Sequence, residues 1–313
     1  MHLRRFQQCC FVKDVSRIYR NMDIQILVCL FLMYNLRVIS LSFTRKILFT
    51  TDAFIKEFDV ESNNVTILAE LSDRSFGMDY DDKNNYIYFT RHFAADIMRF
   101  RYPSQNYTFQ TICTTGINPG GIAIDNVLGH VYFAHDNTKI SRCNLDGSNA
   151  VDIHTSLNGP FALGLDVKNG WMYFSENGVP RKMVRSRFDL SQRQDIYTQS
   201  FVAYSLDLDY DEQMMYWIID ESNEIKSANF DGTNIKTVMN LNAHGGKYDN
   251  IAIRISTSYI FFTEYGKLFR MNKTTATSPT LLYTDTKSIN SLYLYEHTGK
   301  KRHKFSLERN DIS

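Results

Sequence analysis

The hexapeptide Ile87-Tyr88-Phe89-Thr90-Arg91-His92 is one of six similar segments, each with an aromatic residue at its third position. Successive copies begin 40 to 45 residues apart. A repeat of this length, rich in strand-forming residues, is typical of a β-propeller in which each repeat forms one blade. The other copies are ILFTTD (47–52), VYFAHD (131–136), MYFSEN (172–177), MYWIID (215–220) and IFFTEY (260–265).

Each hexapeptide belongs to a longer pattern that predicts four short strands per repeat. An alternating segment precedes five of the copies, and its last residue stands six positions before the hexapeptide in every case. Two more apolar segments follow, and Asp, Asn, Gly and Ser fill the gaps between them. Alternation places successive side chains on opposite faces of a strand. The first strands are predicted to end at Asp81, Asp125, Asp166, Asp209 and Arg254.

The two ends of the repeat region complement each other. The copy at 47–52 has no first strand before it, and the segment SLYLYE (291–296) is a first strand with no second strand after it. Pairing them would complete a sixth blade and remove the open sheet edges. We therefore predict an all-β, six-bladed propeller of four-stranded antiparallel blades over residues 43–297. A β-sandwich of repeated hairpins is the alternative, but it needs no fixed period.

Composition and charge narrow the class of partner. The chain has 313 residues, a formal net charge of +1, 22 Phe and 19 Tyr, which can fill a large aromatic core. A charge so near zero gives no global field that would attract nucleic acid or membranes. The one basic run, 300–304, lies in a tail (298–313) that we predict to be disordered; a heparin or nucleic-acid patch is the alternative.

The first 42 residues resemble a secretory leader. Residues 24–34 are apolar except for Gln25, follow Arg17 and Arg20, and are too few to span a bilayer. We predict a signal peptide over 22–42, with cleavage after Ser42 and with Met22 as a candidate start. An uncleaved signal anchor and a buried or disordered leader are alternatives. The predicted localisation is secreted or on the extracellular face of the cell, with no membrane span in the mature chain.

Two further sequence features bear on that localisation. Three glycosylation sequons begin at Asn64, Asn106 and Asn272, each in or beside a predicted turn between outer strands. Of the five cysteines, Cys9, Cys10 and Cys29 precede the propeller, whereas Cys113 and Cys143 lie on adjacent predicted blades. The last two form either a disulfide or two buried free thiols.

The repeats resemble the YWTD propeller of the low-density lipoprotein receptor family. MYWIID (215–220) is similar to the Tyr-Trp-Thr-Asp motif, and NLDGSN (144–149) and NFDGTN (229–234) are similar to the Leu-Asp-Gly turn of that family. The resemblance covers residues 46–297. The chain departs from the family in keeping only one motif tryptophan, Trp217, and in having no cysteine-rich modules beside the propeller, so endocytic uptake is not part of the prediction. The resemblance implies a non-catalytic, extracellular protein-binding module. A fragment of a larger receptor is an alternative.

A catalytic site is the second alternative. The sequence has no GxSxG, HExxH, paired CxxC or P-loop motif, and we predict no enzyme activity, no cofactor and no metal. Lactonase-like hydrolases with six blades hold a calcium ion on the propeller axis, and Asp79, Asp166 and Asp207 are the candidate ligands by position. An Asp at the end of a first strand recurs in four blades, however, which favours a structural role in capping turns.

The resemblance implies that the partner is a protein that docks on one particular rim of the ring. Loops leading into first strands and loops leaving second strands share a rim because those strands are antiparallel; we call it the upper rim. Its mixture of aromatic and acidic residues suits a protein with a basic loop. The candidate contact residues are Phe76, His92, His135, Asp136, Phe161, Glu176, Asn177, Tyr204, Asp220, Glu221, Asn250, Glu264 and Tyr265.

The resemblance also suggests the hypothesis that ligand is released at endosomal pH, for which histidine is the suitable side chain. Six histidines fall in the propeller region, an ordinary number for its length. They are His92, His130, His135, His154, His244 and His297.

Overall fold

The computed structural model describes residues 44–241, 252–275 and 278–297, and these residues form 24 β-strands. The predicted leader (1–42) and the predicted tail (298–313) lie outside this range. The strands are β1 (Thr44–Thr51), β2 (Phe54–Asp59), β3 (Val65–Glu70), β4 (Met78–Asp81), β5 (Tyr86–Arg91), β6 (Asp96–Arg101), β7 (Gln110–Thr114), β8 (Ile122–Asp125), β9 (His130–His135), β10 (Lys139–Asn144), β11 (Val151–His154), β12 (Pro160–Asp166), β13 (Trp171–Glu176), β14 (Arg181–Arg187), β15 (Gln194–Gln199), β16 (Ser205–Asp209), β17 (Met214–Ile219), β18 (Glu224–Asn229), β19 (Lys236–Asn240), β20 (Ile253–Ile255), β21 (Tyr259–Glu264), β22 (Lys267–Asn272), β23 (Thr280–Thr284) and β24 (Ile289–His297).

The strands form six antiparallel sheets of four, which we call blades A to F. Blade A has the order β24-β1-β2-β3, and blades B to F consist of β4–β7, β8–β11, β12–β15, β16–β19 and β20–β23. The first strands β4, β8, β12, β16 and β20 contact one another in succession, so the inner edges of the blades face a common axis. The predicted six-bladed propeller, closed by its N- and C-terminal strands, is confirmed.

The hydrophobic core consists of six clusters, one between each pair of neighbouring blades. Alternation along β1 distributes its side chains between two of them, because Phe49 packs towards blade F and Leu48 towards blade B. From β24, Leu292 joins the first of these clusters and Tyr295 packs against the second. Both ends of the repeat region therefore contribute to both boundaries of blade A, and the ring is closed by packing as well as by strand pairing.

The Asp at the end of a first strand has the same role in four blades. Asp81 Oδ1 accepts hydrogen bonds from the backbone N–H groups of Lys83 and Asn84, both at 3.1 Å. Equivalent bonds to backbone N–H groups in the following turn are made by Asp125, Asp166 and Asp209. The structural interpretation of this recurring Asp is therefore confirmed.

Blade F departs from the predicted register. Arg254, expected at the end of its first strand, pairs with Phe261, and Ser256 N donates to Tyr259 O at 2.8 Å. The hairpin therefore has a two-residue turn at 257–258, whereas four residues, 82–85, separate the paired ends of β4 and β5. The prediction for Arg254 was wrong, because equal spacing in sequence conceals a shorter turn and a first strand that continues past Arg254 to Ile255.

Candidate protein-binding rim

The upper rim has a recurring geometry at the level of the backbone. In blade B, His92 N, just after the second strand, donates to Arg74 O, just before the first strand, at 2.9 Å. Equivalent bonds of 2.7 to 2.9 Å run from Asp136 to Ile117, from Asn177 to Gly159 and from Asp220 to Val202. The loops into first strands and out of second strands therefore lie side by side in blades B to E.

A continuous run of aromatic rings crosses this rim, and we call it the aromatic arc. His92 lies between Phe93 and Phe76, with ring centroids 5.0 and 4.9 Å away. Phe76 contacts Phe161 at 5.7 Å, and Phe161 contacts Tyr204 at 5.2 Å. All four contacts are edge-to-face, the geometry that aromatic quadrupoles favour. The arc brings together four predicted rim residues, and Phe93 extends it.

The arc bridges blades B and D because blade C has glycine at the corresponding position. Gly120 precedes β8 as Phe76 precedes β4, and the Phe161 ring lies directly against it. A Cβ atom at Gly120 would stand 2.9 Å from Phe161 Cδ2, closer than ordinary contact. The absence of a side chain at Gly120 therefore allows Phe161 to reach Phe76.

Three exposed apolar side chains on the upper rim were not predicted. Phe93, Ile117 and Val179 are 74%, 62% and 76% exposed, and all three lie in upper-rim loops of blades B, C and D. The loop of Phe93 is held by Asp73, whose Oδ2 accepts the N–H groups of Phe93 and Ala94, both at 2.7 Å. The signal in the sequence was an apolar residue within a polar turn, and strand patterns do not report such residues.

Four of the predicted contact residues are buried. His135, Glu176, Asp220 and Glu264 each have less than a tenth of their surface exposed. Glu176 receives two hydrogen bonds from Arg193, the shorter at 2.6 Å, so its charge is paired within blade D. These residues support the rim rather than form its outer surface.

His135 has a well-defined structural environment. Its Nδ1 accepts the N–H of Gly116 at 3.1 Å, and its Nε2 lies 2.7 Å from Ser141 Oγ, which donates to Asp152 at 2.6 Å. Burial lowers the pKa of His135 below its usual value, although Asp136 and Asp152 oppose this effect. The accepting Nδ1 and the lowered pKa favour the neutral ring.

The remaining predicted residues are more accessible. Asp136, Glu221 and Tyr265 adopt positive φ angles of 55°, 60° and 50°, which non-glycine residues rarely do, so tight turns fix their backbone positions. Asn177 has a supporting role, because its side-chain amide exchanges hydrogen bonds of 3.0 and 3.1 Å with the backbone of Ala203, beside Tyr204. Asn250 lies outside the described residues.

The candidate cation ligands for the enzyme alternative are used by the fold. Asp79 Oδ2 accepts Ile124 N and Asp207 Oδ2 accepts Ile255 N, both at 2.7 Å, so each links neighbouring first strands. Arg254 of blade F donates to Met78 O of blade B at 3.0 Å, past the intervening blade A. In the part of the chain that the structure describes, no group of three or more His, Cys, Asp or Glu side chains could hold a metal ion.

Comparison with known sequences shows that the chain is similar to part of a receptor. It is 29% identical to the vitellogenin receptor of Solenopsis invicta over 133 residues, which are 42% of this chain and 8% of the receptor. The resemblance to the YWTD propeller of the low-density lipoprotein receptor family is confirmed. The chain thus corresponds to a small part of the length of this relative. No protein-family model matches the chain.

Comparison with solved structures supports the fold. A chain of the nidogen–laminin complex superposes with a TM-score of 0.69 at 15% identity, over 80% of this chain and 98% of the other. A TolB protein from Agrobacterium tumefaciens gives a TM-score of 0.60 at 10% identity, over 82% and 99% of the two chains. Within residues 44–241, 252–275 and 278–297, no helix has the length and apolar character needed to cross a bilayer.

Proposed function

We propose that this chain is an extracellular, non-catalytic module that binds a protein through the upper rim of blades B to E. The observation that carries the proposal is the aromatic arc with Phe93 at its end, 74% exposed yet held on a loop fixed by buried Asp73. The similarity to a vitellogenin receptor and to a chain of the nidogen–laminin complex supports a protein ligand.

The arc has the physical properties of an interface centre. Aromatic side chains that are already ordered lose little conformational freedom on binding, and they are enriched among the residues that dominate interface energies. Phe76 and Tyr204 are half-buried and both pack on the half-buried Phe161 ring, while Phe93, Ile117 and Val179 are exposed on the same rim. An apolar anchor of the partner would bury these rings at a position where the backbone has little freedom to rearrange.

The acidic side chains at the edge of the aromatic arc favour a partner with a basic loop. Glu221 is exposed, whereas the charges of Asp136 and Glu176 are paired with Lys139 and Arg193. Acidic groups at the edge of an apolar patch steer basic partners and add salt dependence to the rate of association. We therefore expect weaker binding at high ionic strength and a modest loss on Glu221→Lys.

The sequons support the choice of rim. Asn64, Asn106 and Asn272 all lie where third strands lead into fourth strands, in blades A, B and F, which is the rim opposite the arc. Asn64 and Asn106 are exposed. Asn272 uses Oδ1 to accept from Thr274, while a glycan attaches to the amide nitrogen. Glycans at these positions would leave the upper rim accessible, and enzymatic deglycosylation of the secreted protein should leave ligand binding unchanged.

The test is affinity capture from extracellular fluid with the secreted protein and two variants. Phe93→Ala combined with Phe161→Ala should lose the captured partner. The matched control is Leu128→Ala, because Leu128 is 63% exposed but lies in the β8–β9 turn on the lower rim. Thermal unfolding should show that both variants are folded. Equal capture by the double variant and the wild type would refute the choice of surface.

The absence of turnover is a separate part of the proposal. The carboxylates that a cation on the axis would need, Asp79 and Asp207, accept backbone N–H groups of the next blade. Elemental analysis of the purified protein should find no stoichiometric calcium, and addition of calcium should not change its unfolding temperature. One tightly held calcium ion per chain would favour the hydrolase alternative.

A further inference from the structure

Two thiol groups meet at the boundary between blades B and C. Cys113 lies in β7, the outermost strand of blade B, and Cys143 lies in β10, the third strand of blade C. Their Sγ atoms are 3.4 Å apart although the residues are 30 positions apart in sequence. Cys143 is fully buried, whereas Cys113 is partly exposed. The two sulfur atoms are thus in direct contact, and one of them can be reached from solvent.

The backbone on both sides of this contact is fixed by close packing. Gly147 follows β10 with a φ of +90°, and a Cβ atom there would lie 1.9 Å from Ile112 O, so β7 lies directly against this turn. Nearby, the hydroxyl of Tyr88 and Nη1 of Arg99, both from blade B, each donate to Leu145 O at 2.9 Å. The approach of the two thiols therefore results from the packing of the blades and not from mobile side chains.

We propose that Cys113 and Cys143 form a disulfide bond between blades B and C when the folded chain meets a disulfide oxidant such as oxidised glutathione. The bond requires the Sγ atoms to close from 3.4 Å to about 2.05 Å. We expect this movement to come from rotation about the Cα–Cβ bonds, since the packing of blades B and C holds the backbone. The proposal does not depend on the identity of the ligand or on the choice of binding rim.

The reaction is a double thiol–disulfide exchange. Cys113, the accessible thiol, loses its proton and attacks one sulfur of the oxidant, which releases a first thiol. Cys143 then loses its proton and attacks Cys113 Sγ in the mixed disulfide, which releases a second thiol. The two protein thiols give up two electrons, and the two released thiols take up the electrons and the two protons.

The environment of the pair supports this order of events. The hydrogen bond from Cys143 lowers the pKa of the Cys113 thiol, while the same bond and burial raise the pKa of Cys143. The nucleophile for the first step is therefore also the more exposed group. Beyond β7, Thr115 N donates to Ala95 O at 2.7 Å, and the chain continues to Ile117. The disulfide would thus anchor the strand that leads directly to the apolar rim loop of blade C.

The first test is a map of thiols in the full chain. The protein is incubated with oxidised glutathione, denatured without reductant and alkylated, and its peptides are analysed by mass spectrometry. We expect a peptide pair linked through Cys113 and Cys143 that is two hydrogens lighter than the free peptides. Alkylation of both residues, or linkage of either to Cys9, Cys10 or Cys29, would overturn the proposal.

The second test measures stability in urea with and without reductant. Closing a loop of this length should change the unfolding equilibrium constant on the order of several hundred-fold, so reductant should lower the urea midpoint of the wild type. The control is the double variant Cys113→Ser and Cys143→Ser, which should show the same midpoint in both conditions. A wild-type midpoint that does not respond to reductant would also refute the disulfide.

Discussion

Substituting Gly120 tests how the aromatic arc is built. Alanine is compatible with the backbone at this position, because the φ of Gly120 lies outside the left-handed region. Its Cβ would stand 2.9 Å from Phe161 Cδ2, so the ring must retreat by about 0.5 Å to reach the 3.4 Å at which ordinary contact begins. The Phe161 ring is held between Phe76 and Tyr204 and cannot retreat without disturbing one of those contacts.

The expected energies follow from these contacts. Overpacking a core costs about 1–3 kcal/mol of stability. Because the Phe161 ring is only half-buried, Gly120→Ala should cost about 1 kcal/mol. Phe161→Ala removes two aromatic pairs worth about 0.5–1.5 kcal/mol each. In the Phe161→Ala background no ring opposes the new methyl group, so Gly120→Ala should cost close to nothing. The two substitutions should therefore be coupled by about 1 kcal/mol.

The measurement is equilibrium unfolding in urea followed by tryptophan fluorescence, since the chain has two tryptophans. Replacing glycine also changes the free energy of the unfolded chain. This change is the same in the wild type and in Phe161→Ala, so it cancels in the double-mutant cycle. Phe93→Ala provides a control background in which Gly120→Ala should keep its full cost. If Gly120→Ala destabilises the protein equally with and without the Phe161 ring, the proposed steric relation between blades C and D is wrong.

Three further predictions concern stability in urea. His154 is fully buried with neither ring nitrogen hydrogen-bonded within the described residues, and burial lowers its pKa to about 4. As the pH falls, the unfolded chain therefore gains a proton on this histidine before the folded chain does. The free energy of unfolding should fall between about pH 6.5 and 4, by about 2 kcal/mol at pH 5. His154→Leu should remove that part of the pH dependence. Lys273 pairs with Asp209 in a buried site, so Lys273→Met should cost about 3 kcal/mol or more, and Asp209→Asn in the same chain should restore part of it. Removal of residues 289–313 should abolish the cooperative unfolding transition because Ile289 and Leu292 leave the core, whereas removal of 300–313 should not change it.

Much of the architecture followed from the regular spacing of the hexapeptides. A fixed interval between aromatic second strands predicted the number of blades, and the unmatched segments at 47–52 and 291–296 predicted the closure. The same regularity misled the placement of Arg254, because the interval counts residues but not how many of them lie in the turn. Register depends on hydrogen bonding across the hairpin, which sequence spacing does not report.

The rim was predicted as a set of positions but not as a surface. The antiparallel order of the strands indicates which loops share a rim, yet whether a loop residue is buried depends on its three-dimensional neighbours. Glu176 is covered because Arg193 reaches it from the last segment of the same blade. Phe161 reaches Phe76 because a third blade has glycine between them. Both relations are non-local and could not be read from the repeat pattern.

The sharing of blade A between the two ends of the repeat region has a consequence for biosynthesis. During translation β1 leaves the ribosome first among the strands, but its partner β24 is made last. At usual elongation rates of about 5–20 residues per second, β1 waits on the order of ten seconds or more with an unpaired edge. In that interval the nascent chain is an open arc that can join another nascent arc, so chaperones that shield β-strand edges should be required until β24 has been made.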